Sequence, residues 1–237
     1  MEIIKLLSPN FSHARSSKRK IDFIIIHYTG MQSEIVSLKR LLSKKSKVSA
    51  HYLITRSGKI LNLVNVNKVA WHAGKSRWGN FYNLNINSIG IELQNRGHKI
   101  GYERYPKKQI SALIKLCAWL KKKFKIKSAN VLGHSDIAPL RKIDPGEKFP
   151  WKKLAKKNLC EWHTLDEKII RKYRTLKLTN HEEKFFFENL HNIGYSKISK
   201  NNKVNLVKAF QRKYRQSLIN GKIDKELYII SKNVLKL

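Results

Sequence analysis

Cysteines, long apolar runs and acidic residues are scarce in this chain of 237 residues. Neither Cys117 nor Cys160 belongs to a C-x-x-C pair, so a cysteine-based zinc site finds no support. Cys117 lies on the apolar face of a predicted helix and is interpreted as a core residue, while a disulfide to Cys160 stays open. No apolar run approaches the roughly 18 residues of a membrane span, and the first residues lack the pattern of a signal peptide. We therefore expect no transmembrane segment and a cytoplasmic location, with the periplasm or cell envelope as the alternative.

Acidic residues number 16 against 50 Lys and Arg, which gives a formal net charge of +34. Such a charge attracts polyanions, among them nucleic acid, anionic lipid surfaces and acidic cell-wall polymers. The basic residues are spread along the whole chain, so compositional bias is an equal explanation. The chain has no RNP motif, Cys/His zinc finger or clustered basic helix, and we expect no nucleic-acid partner. The apolar fraction of 41% is enough for packed cores and excludes a disordered chain.

The spacing of apolar residues predicts α/β structure in the first three quarters of the chain. Residues 21–28, 88–93 and 130–133 indicate buried strands, and residues 52–55 and 59–64 indicate a hairpin. Helical spacing marks residues 34–43 and 110–124, the second with a basic outer face.

After about residue 175 the strand signals stop, and three short helices are predicted at 180–191, 202–216 and 223–235. We therefore predict the fold class α/β, with a mixed central β-sheet flanked by helices and followed by a small three-helix domain. The predicted domains are residues 1–175 and 176–237.

One loop, residues 133–146 (GHSDIAPLRKIDPG), holds two side chains of the types that bind first-row metals, His134 and Asp144. Its Pro and Gly residues argue against any helix or strand here, so the loop can fold back and bring both ligands to one point. A catalytic zinc site has three protein ligands and one open position. The best candidate for the third ligand is His27, at the carboxyl end of a predicted strand.

Two more side chains suit a zinc hydrolase. Glu92 lies in an otherwise apolar strand, where a carboxylate is costly unless it is paired or functional, and it suits a general base. Lys142, in the same loop as His134, suits stabilisation of an oxyanion. Each signal alone is weak, because a histidine at a strand end is more often a packed residue and a lysine in so basic a chain is by default solvated.

Five motifs in one order give the chain its resemblance to a known family. They are IIHYT (25–29), SAHYLI (49–54), AWHAG (70–74), SIGIE (88–92) and the loop 133–146. Together they resemble the zinc-dependent N-acetylmuramoyl-L-alanine amidases of the type 2 family. This family includes the bacterial cell-wall recycling amidases and is related to phage T7 lysozyme and the peptidoglycan recognition proteins. The resemblance covers about residues 8–160.

The resemblance implies one Zn²⁺ per chain and a role for each matched residue. The implied ligands are His27, His134 and Asp144, with Glu92 as catalytic acid/base and Lys142 as transition-state stabiliser.

The resemblance also implies substrate contacts, at Arg141 and Ala138 in the loop. Trp71 and His72 lie where the family lines its groove, and a structural role is an equal alternative for both. His51 matches a family position and is interpreted as a hydrogen-bonding scaffold residue.

The last part of the chain has a second resemblance. Residues 207–215 (VKAFQRKYR) and 221–224 (GKID) are similar to the small helical peptidoglycan-binding domain. That arrangement is found in a subgroup of outer-membrane lipoproteins whose export signal and lipidation cysteine have no counterpart among the first residues here.

From these resemblances we expect hydrolysis of the amide between N-acetylmuramic acid, in its 1,6-anhydro or reducing-end form, and L-alanine of peptidoglycan stem peptides, in cell-wall recycling or turnover. The expected partners are peptidoglycan fragments or muropeptides, and the sequence assigns no oligomeric state. The alternative is a non-catalytic peptidoglycan-recognition module, which in related binders has lost a zinc ligand.

Overall fold

The computed structural model describes residues 1–14, 19–197 and 199–237. The strands are β1 Ile4–Lys5, β2 Phe11–Ser12, β3 Phe23–Tyr28, β4 Tyr52–Ile54, β5 Ile60–Asn62, β6 Val69–Ala70, β7 Arg77–Trp78, β8 Phe81–Tyr82, β9 Ser88–Leu93 and β10 Val131–Gly133. The helices are α1 Glu34–Leu42, α2 Lys107–Phe124, α3 His134–Ile137, α4 Trp151–Ala155, α5 Glu167–Ile170, α6 Asn180–Ile193, α7 Lys203–Tyr214 and α8 Lys225–Val234. Of the described helices, none is both long and apolar enough to cross a membrane.

A six-stranded mixed sheet forms the centre of the molecule, in the order β1-β5-β4-β9-β3-β10. Strands β4, β9, β3 and β10 run parallel, and β5 pairs antiparallel with β4 as the predicted hairpin. Strand β3 lies inside the sheet, between β9 and β10. Its sequence FIIIHY is apolar on both faces, and five of its six residues are buried. The predicted fold class is confirmed.

The two faces of the sheet carry different layers. Alternate residues of a strand face opposite sides, so Ile24 and Ile26 pack with α2 and α4, whereas Phe23 and Ile25 pack with the C-terminal helices. A third cluster, under α1, covers β4 and β5 on the same face as the C-terminal helices. The functional site lies on this second face.

The three predicted C-terminal helices correspond to α6, α7 and α8. Their apolar side chains, such as Phe186, Phe210 and Leu227, belong to the same buried cluster as side chains of the α/β part. Leu132 and Ile137 are the examples from the α/β part. The division at residue 175 stays a prediction.

One local expectation was wrong. The loop 133–146 was predicted to contain no helix, yet α3 forms directly after Gly133. The Asp136 carboxylate accepts the backbone N–H of Gly133 at 2.8 Å, which closes a single helical turn before the first proline. Both cysteines are buried and free, which answers the disulfide question.

Candidate metal centre and active site

Three parallel strands bring the predicted functional side chains to one edge of the sheet. His27 and Glu92 are register partners on β3 and β9. Gly133, the last residue of β10, is the register partner of Ile26, so His134 follows beside His27. Parallel strands end at a common edge, which is where α/β proteins place their sites.

The three predicted metal ligands form a tight triangle. The Nδ1 atoms of His27 and His134 lie 2.9 Å apart, and each lies 3.1 Å from Oδ2 of Asp144. All three residues are buried. Tetrahedral zinc with bonds of about 2.0–2.1 Å has ligand atoms about 3.3 Å apart, close to these distances.

The proton on the His27 ring can be located from its hydrogen-bond partners. Ser88 Oγ donates to the carbonyl of Leu84 and therefore accepts from Nε2 of His72, 3.2 Å away. The His72 Nδ1 atom is then free to accept from Nε2 of His27, at 3.0 Å. This chain of donors places the His27 proton on Nε2, so the lone pair of its Nδ1 points into the triangle.

The same reasoning fixes the tautomer of His134. Its Nε2 lies 3.0 Å from the carbonyl oxygen of Ala73, which can only accept, so Nε2 carries the proton. Two imidazole lone pairs and one carboxylate oxygen thus converge with no proton between the two nitrogens. A cation is the group that this donor set fits.

Burial and neighbouring charges shift the pKa of two of the candidate ligands, His27 and Asp144. Burial, and then the charge of His134, lowers the pKa of His27 to about 4. Burial also lowers the pKa of His72 well below its usual range. Burial alone would raise the pKa of Asp144, but the imidazoles of His134 and His27 hold it well below its usual range. At neutral pH the triangle therefore offers the neutral imidazole of His27 and the ionised carboxylate of Asp144.

Glu92 lies beside the triangle with an unpaired oxygen. The side chain is partly exposed, but Oε2 is buried and has no hydrogen-bond partner in the described part of the chain. Burial, followed by the negative charge of Asp144, raises the pKa of Glu92 to about 8, and the positive charge of Lys142 opposes this. A carboxyl in this state accepts or delivers a proton near neutral pH.

A cavity of about 430 Å³ opens over these groups. The three ligands, Glu92 and Lys142 line it, as do three of the four predicted substrate contacts, Trp71, His72 and Arg141. The side chain of Lys142 is half-buried.

Ala138 does not line this cavity. It is 6% exposed and packs in the core with the C-terminal helices. Its role in substrate binding stays a prediction without support from its position.

Arg141 and His72 have structural partners as well as a place in the cavity. Arg141 donates to the carbonyl oxygens of Ala73 and Lys75, and Ala73 is the residue whose carbonyl orients His134. His72 stacks over β9 at Gly90, where a Cβ atom would lie 2.4 Å from its Cγ. These contacts favour the structural alternative for His72.

Trp71 is held against strand β2, since its Nε1 donates to Ser12 Oγ at 2.8 Å. His51, interpreted as a scaffold residue, accepts the Gly90 N–H at 3.0 Å through Nδ1 and lies 3.1 Å from the Lys68 carbonyl. The scaffold interpretation of His51 is confirmed by these bonds.

Sequence reasoning missed the basic rim of the cavity. Arg40, Arg96 and Lys99 line it in addition to Arg141 and Lys142. Arg96 and Lys99 follow the carboxyl end of β9 by a few residues, a position that could have marked them. Arg40, on α1, carried no comparable signal in so basic a chain.

A mixed sheet with a two-histidine, one-carboxylate centre at the ends of its parallel strands is the arrangement of a metal-dependent hydrolase. A family model described as N-acetylmuramoyl-L-alanine amidase matches residues 17–147. The chain belongs to this family and is an N-acetylmuramoyl-L-alanine amidase, as the five motifs predicted.

Two proteins illustrate the similarity. N-acetylmuramoyl-L-alanine amidase AmiD of Escherichia coli K12 is 34% identical over 240 residues, covering 94% of this chain and 85% of that protein. The solved complex of E. coli AmiD with anhydro-N-acetylmuramic acid-L-Ala-D-gamma-Glu-L-Lys has a TM-score of 0.81 and 33% identity, covering 94% of this chain and 92% of that chain. The complex of AmpDh3 from Pseudomonas aeruginosa with anhydromuramic pentapeptide has a TM-score of 0.81 and 29% identity, covering 96% of each chain.

Proposed function

We propose that this chain is a zinc-dependent amidase that hydrolyses the bond between the lactyl group of N-acetylmuramic acid and L-alanine of a peptidoglycan stem peptide. The observation that carries the proposal is the unpaired Oε2 of Glu92 beside the triangle of His27, His134 and Asp144. A recognition module gains nothing from a buried, unpaired carboxyl oxygen next to a metal centre, because such an atom costs stability.

Zinc would be held by His27 Nδ1, His134 Nδ1 and Asp144 Oδ2. When bound, it supplies a Lewis acid that polarises the scissile carbonyl and makes water more acidic. Glu92 would lose its proton more readily beside that positive charge, so its pKa would be lower in the loaded site.

Glu92 then takes a proton from the attacking water and delivers it to the nitrogen of the leaving L-alanine. With these two transfers the Glu92 carboxyl serves first as base and then as acid. Lys142, on the rim of the same cavity, donates to the oxyanion of the tetrahedral intermediate. Water adds to the carbonyl carbon, the C–N bond breaks, and the products are a lactyl carboxylate and a free amine.

The basic rim supports a muropeptide substrate. Stem peptides carry free carboxylates, and Arg40, Arg96 and Lys99 place positive charge around the cavity. Two relatives that match nearly the whole chain were solved with anhydromuramyl peptides. We therefore propose the 1,6-anhydro form as a substrate. The compartment in which the chain meets it stays a prediction.

The test is hydrolysis of a defined anhydromuramyl tripeptide, followed by mass spectrometry of the released peptide. We expect free peptide with zinc and none after a chelator. Glu92→Gln should lower kcat by at least about 100-fold while zinc stays bound, since general acid–base catalysis contributes about 10²–10⁴-fold.

Glu188→Gln is the matched control, because Glu188 lies on α6 and is paired with Lys184 at 3.9 Å. It should cleave at the wild-type rate. Release of no peptide by the zinc-loaded wild type would refute the proposal. Cleavage by Glu92→Gln at the wild-type rate would remove Glu92 from it.

A further inference from the structure

The turn that carries His134 is held by a buried carboxylate. Asp136 is 1% exposed, and its Oδ2 accepts the N–H of Gly133 at 2.8 Å. On the same turn, Ser135 donates its N–H to the backbone oxygen of Asp144 at 2.9 Å. Two of the three metal ligands, His134 and Asp144, thus depend on the conformation of α3.

Asp136 is in turn held from the C-terminal helices. Tyr195, just after α6, donates its hydroxyl to Asp136 Oδ1 at 2.8 Å. Lys213, on α7, places Nζ 3.7 Å from Asp136 Oδ2 and donates to the carbonyl of Val131 at 3.4 Å. Among the described residues, Asp136 is the one acidic group within ion-pair distance of Lys213.

This network is closed to solvent. Tyr195 and Lys213 are each 1% exposed, and the Lys213 ammonium lies 5.1 Å from the centre of the Trp151 ring. Burial raises the pKa of Tyr195 well above its usual range, so its hydroxyl remains a donor. A buried carboxylate that loses its partners is costly, and it would turn towards another donor or a new rotamer.

We propose that Tyr195 and Lys213 are positioning residues for the metal centre, which fix the conformation of α3 through Asp136 and so hold His134 and Asp144 in metal-binding geometry. The C-terminal helices then complete the catalytic site itself, whatever they bind on their outer surface. The alternative is that the network stabilises the fold and leaves metal affinity unchanged.

The test uses the full-length chain and zinc alone, so it does not depend on whether the chain cleaves a muropeptide. Tyr195→Phe removes one hydroxyl and retains the ring that packs 4.8 Å from Trp78. The matched control is Tyr214→Phe, because Tyr214 is equally buried in the same cluster and donates no described hydrogen bond to Asp136. Zinc affinity is measured by competition with a chromophoric chelator, at a temperature at which all metal-free variants are folded.

We expect Tyr195→Phe to bind zinc about tenfold more weakly than wild type, the low end of the range for groups that orient metal ligands. Tyr214→Phe should bind zinc as wild type does. The absorption spectrum of the Co²⁺-loaded protein, which reports ligand geometry, should change in the first variant and not in the second.

Wild-type affinity and spectrum for Tyr195→Phe would overturn the proposal, even if its Tm fell. Equal losses of affinity in both variants would also overturn it, because they would show a general weakening of the interface. A second pair tests the route through Asp136. Lys213→Met and Asp136→Asn should each weaken zinc binding, and their combination should weaken it less than the product of the two effects. A fully multiplicative loss would show that Lys213 acts by another route.

Discussion

Replacing Glu92 by glutamine should change how the stability of the metal-free protein depends on pH. In the unfolded chain this carboxyl ionises near its ordinary value of 4.5, whereas in the fold burial raises its pKa to about 8. Between these values the folded state holds one proton more than the unfolded state. The free energy of unfolding therefore falls as the pH rises through this window.

The magnitude follows from the raised pKa. From about pH 7 to about pH 9, ionisation of a folded carboxyl of pKa about 8 removes about 1.4 kcal/mol of stability. The Glu92 side chain is partly exposed, and solvent screening reduces this to about 1 kcal/mol. Burial lowers the pKa of His27 from its ordinary 6.5 to about 4, so its stability contribution changes below about pH 7, outside the pH range of the assay. The His27 contribution is the same in wild type and Glu92→Gln, so it cancels when the two proteins are compared.

The assay is urea unfolding of wild type and Glu92→Gln at both pH values with a chelator present. Wild type should lose about 1 kcal/mol more than the variant between about pH 7 and about pH 9. Adding zinc should abolish the difference, because a cation beside Glu92 favours its carboxylate in the folded state. Parallel pH profiles for the two metal-free proteins would show that Glu92 has an ordinary pKa and would refute the argument.

Two further predictions concern the metal centre. Gly90→Ala places a Cβ atom 2.4 Å from the His72 ring, so we expect the free energy of unfolding to fall by about 1–3 kcal/mol and zinc to bind more weakly. Urea unfolding and chelator competition measure the two effects. Wild-type values in both assays would contradict this prediction. Zinc at a thousandfold excess over its Kd should add about 4 kcal/mol to the free energy of unfolding. A chelator should therefore lower the Tm of wild type and leave the Tm of His134→Ala unchanged. An equal response of both proteins would place the bound zinc elsewhere.

Much of the fold followed from apolar spacing. The run that became β3 is apolar on both faces, which marks a central parallel strand, and the pattern of α2 repeats at helical spacing. The candidate ligands and Glu92 could be located because each ends a strand or lies in the loop after one. Short motifs in fixed order carried this information better than any single residue.

The remaining features depend on contacts between distant parts of the chain. The His72 ring packs directly on Gly90, which lies 18 positions away in the sequence. The hydrogen-bond partner of Asp136 is Tyr195, which lies 59 residues later in the chain, and no sequence pattern links the two. Arg141 was predicted from resemblance as a substrate contact, and its donation to two carbonyl oxygens was invisible in sequence because backbone acceptors leave no residue signature.

His27 and Glu92 are register partners on adjacent parallel strands, so the backbone of the sheet controls the distance between them. Neighbouring strands are held about 4.8 Å apart by their hydrogen bonds, so the sheet itself fixes the spacing between the proposed metal ligand and the proposed proton carrier. Loop motion during substrate entry leaves that spacing unchanged. A slip of one residue between β3 and β9 would instead send one of the two side chains to the opposite face of the sheet. A change of register would therefore separate the two groups completely and would not merely lengthen the distance between them.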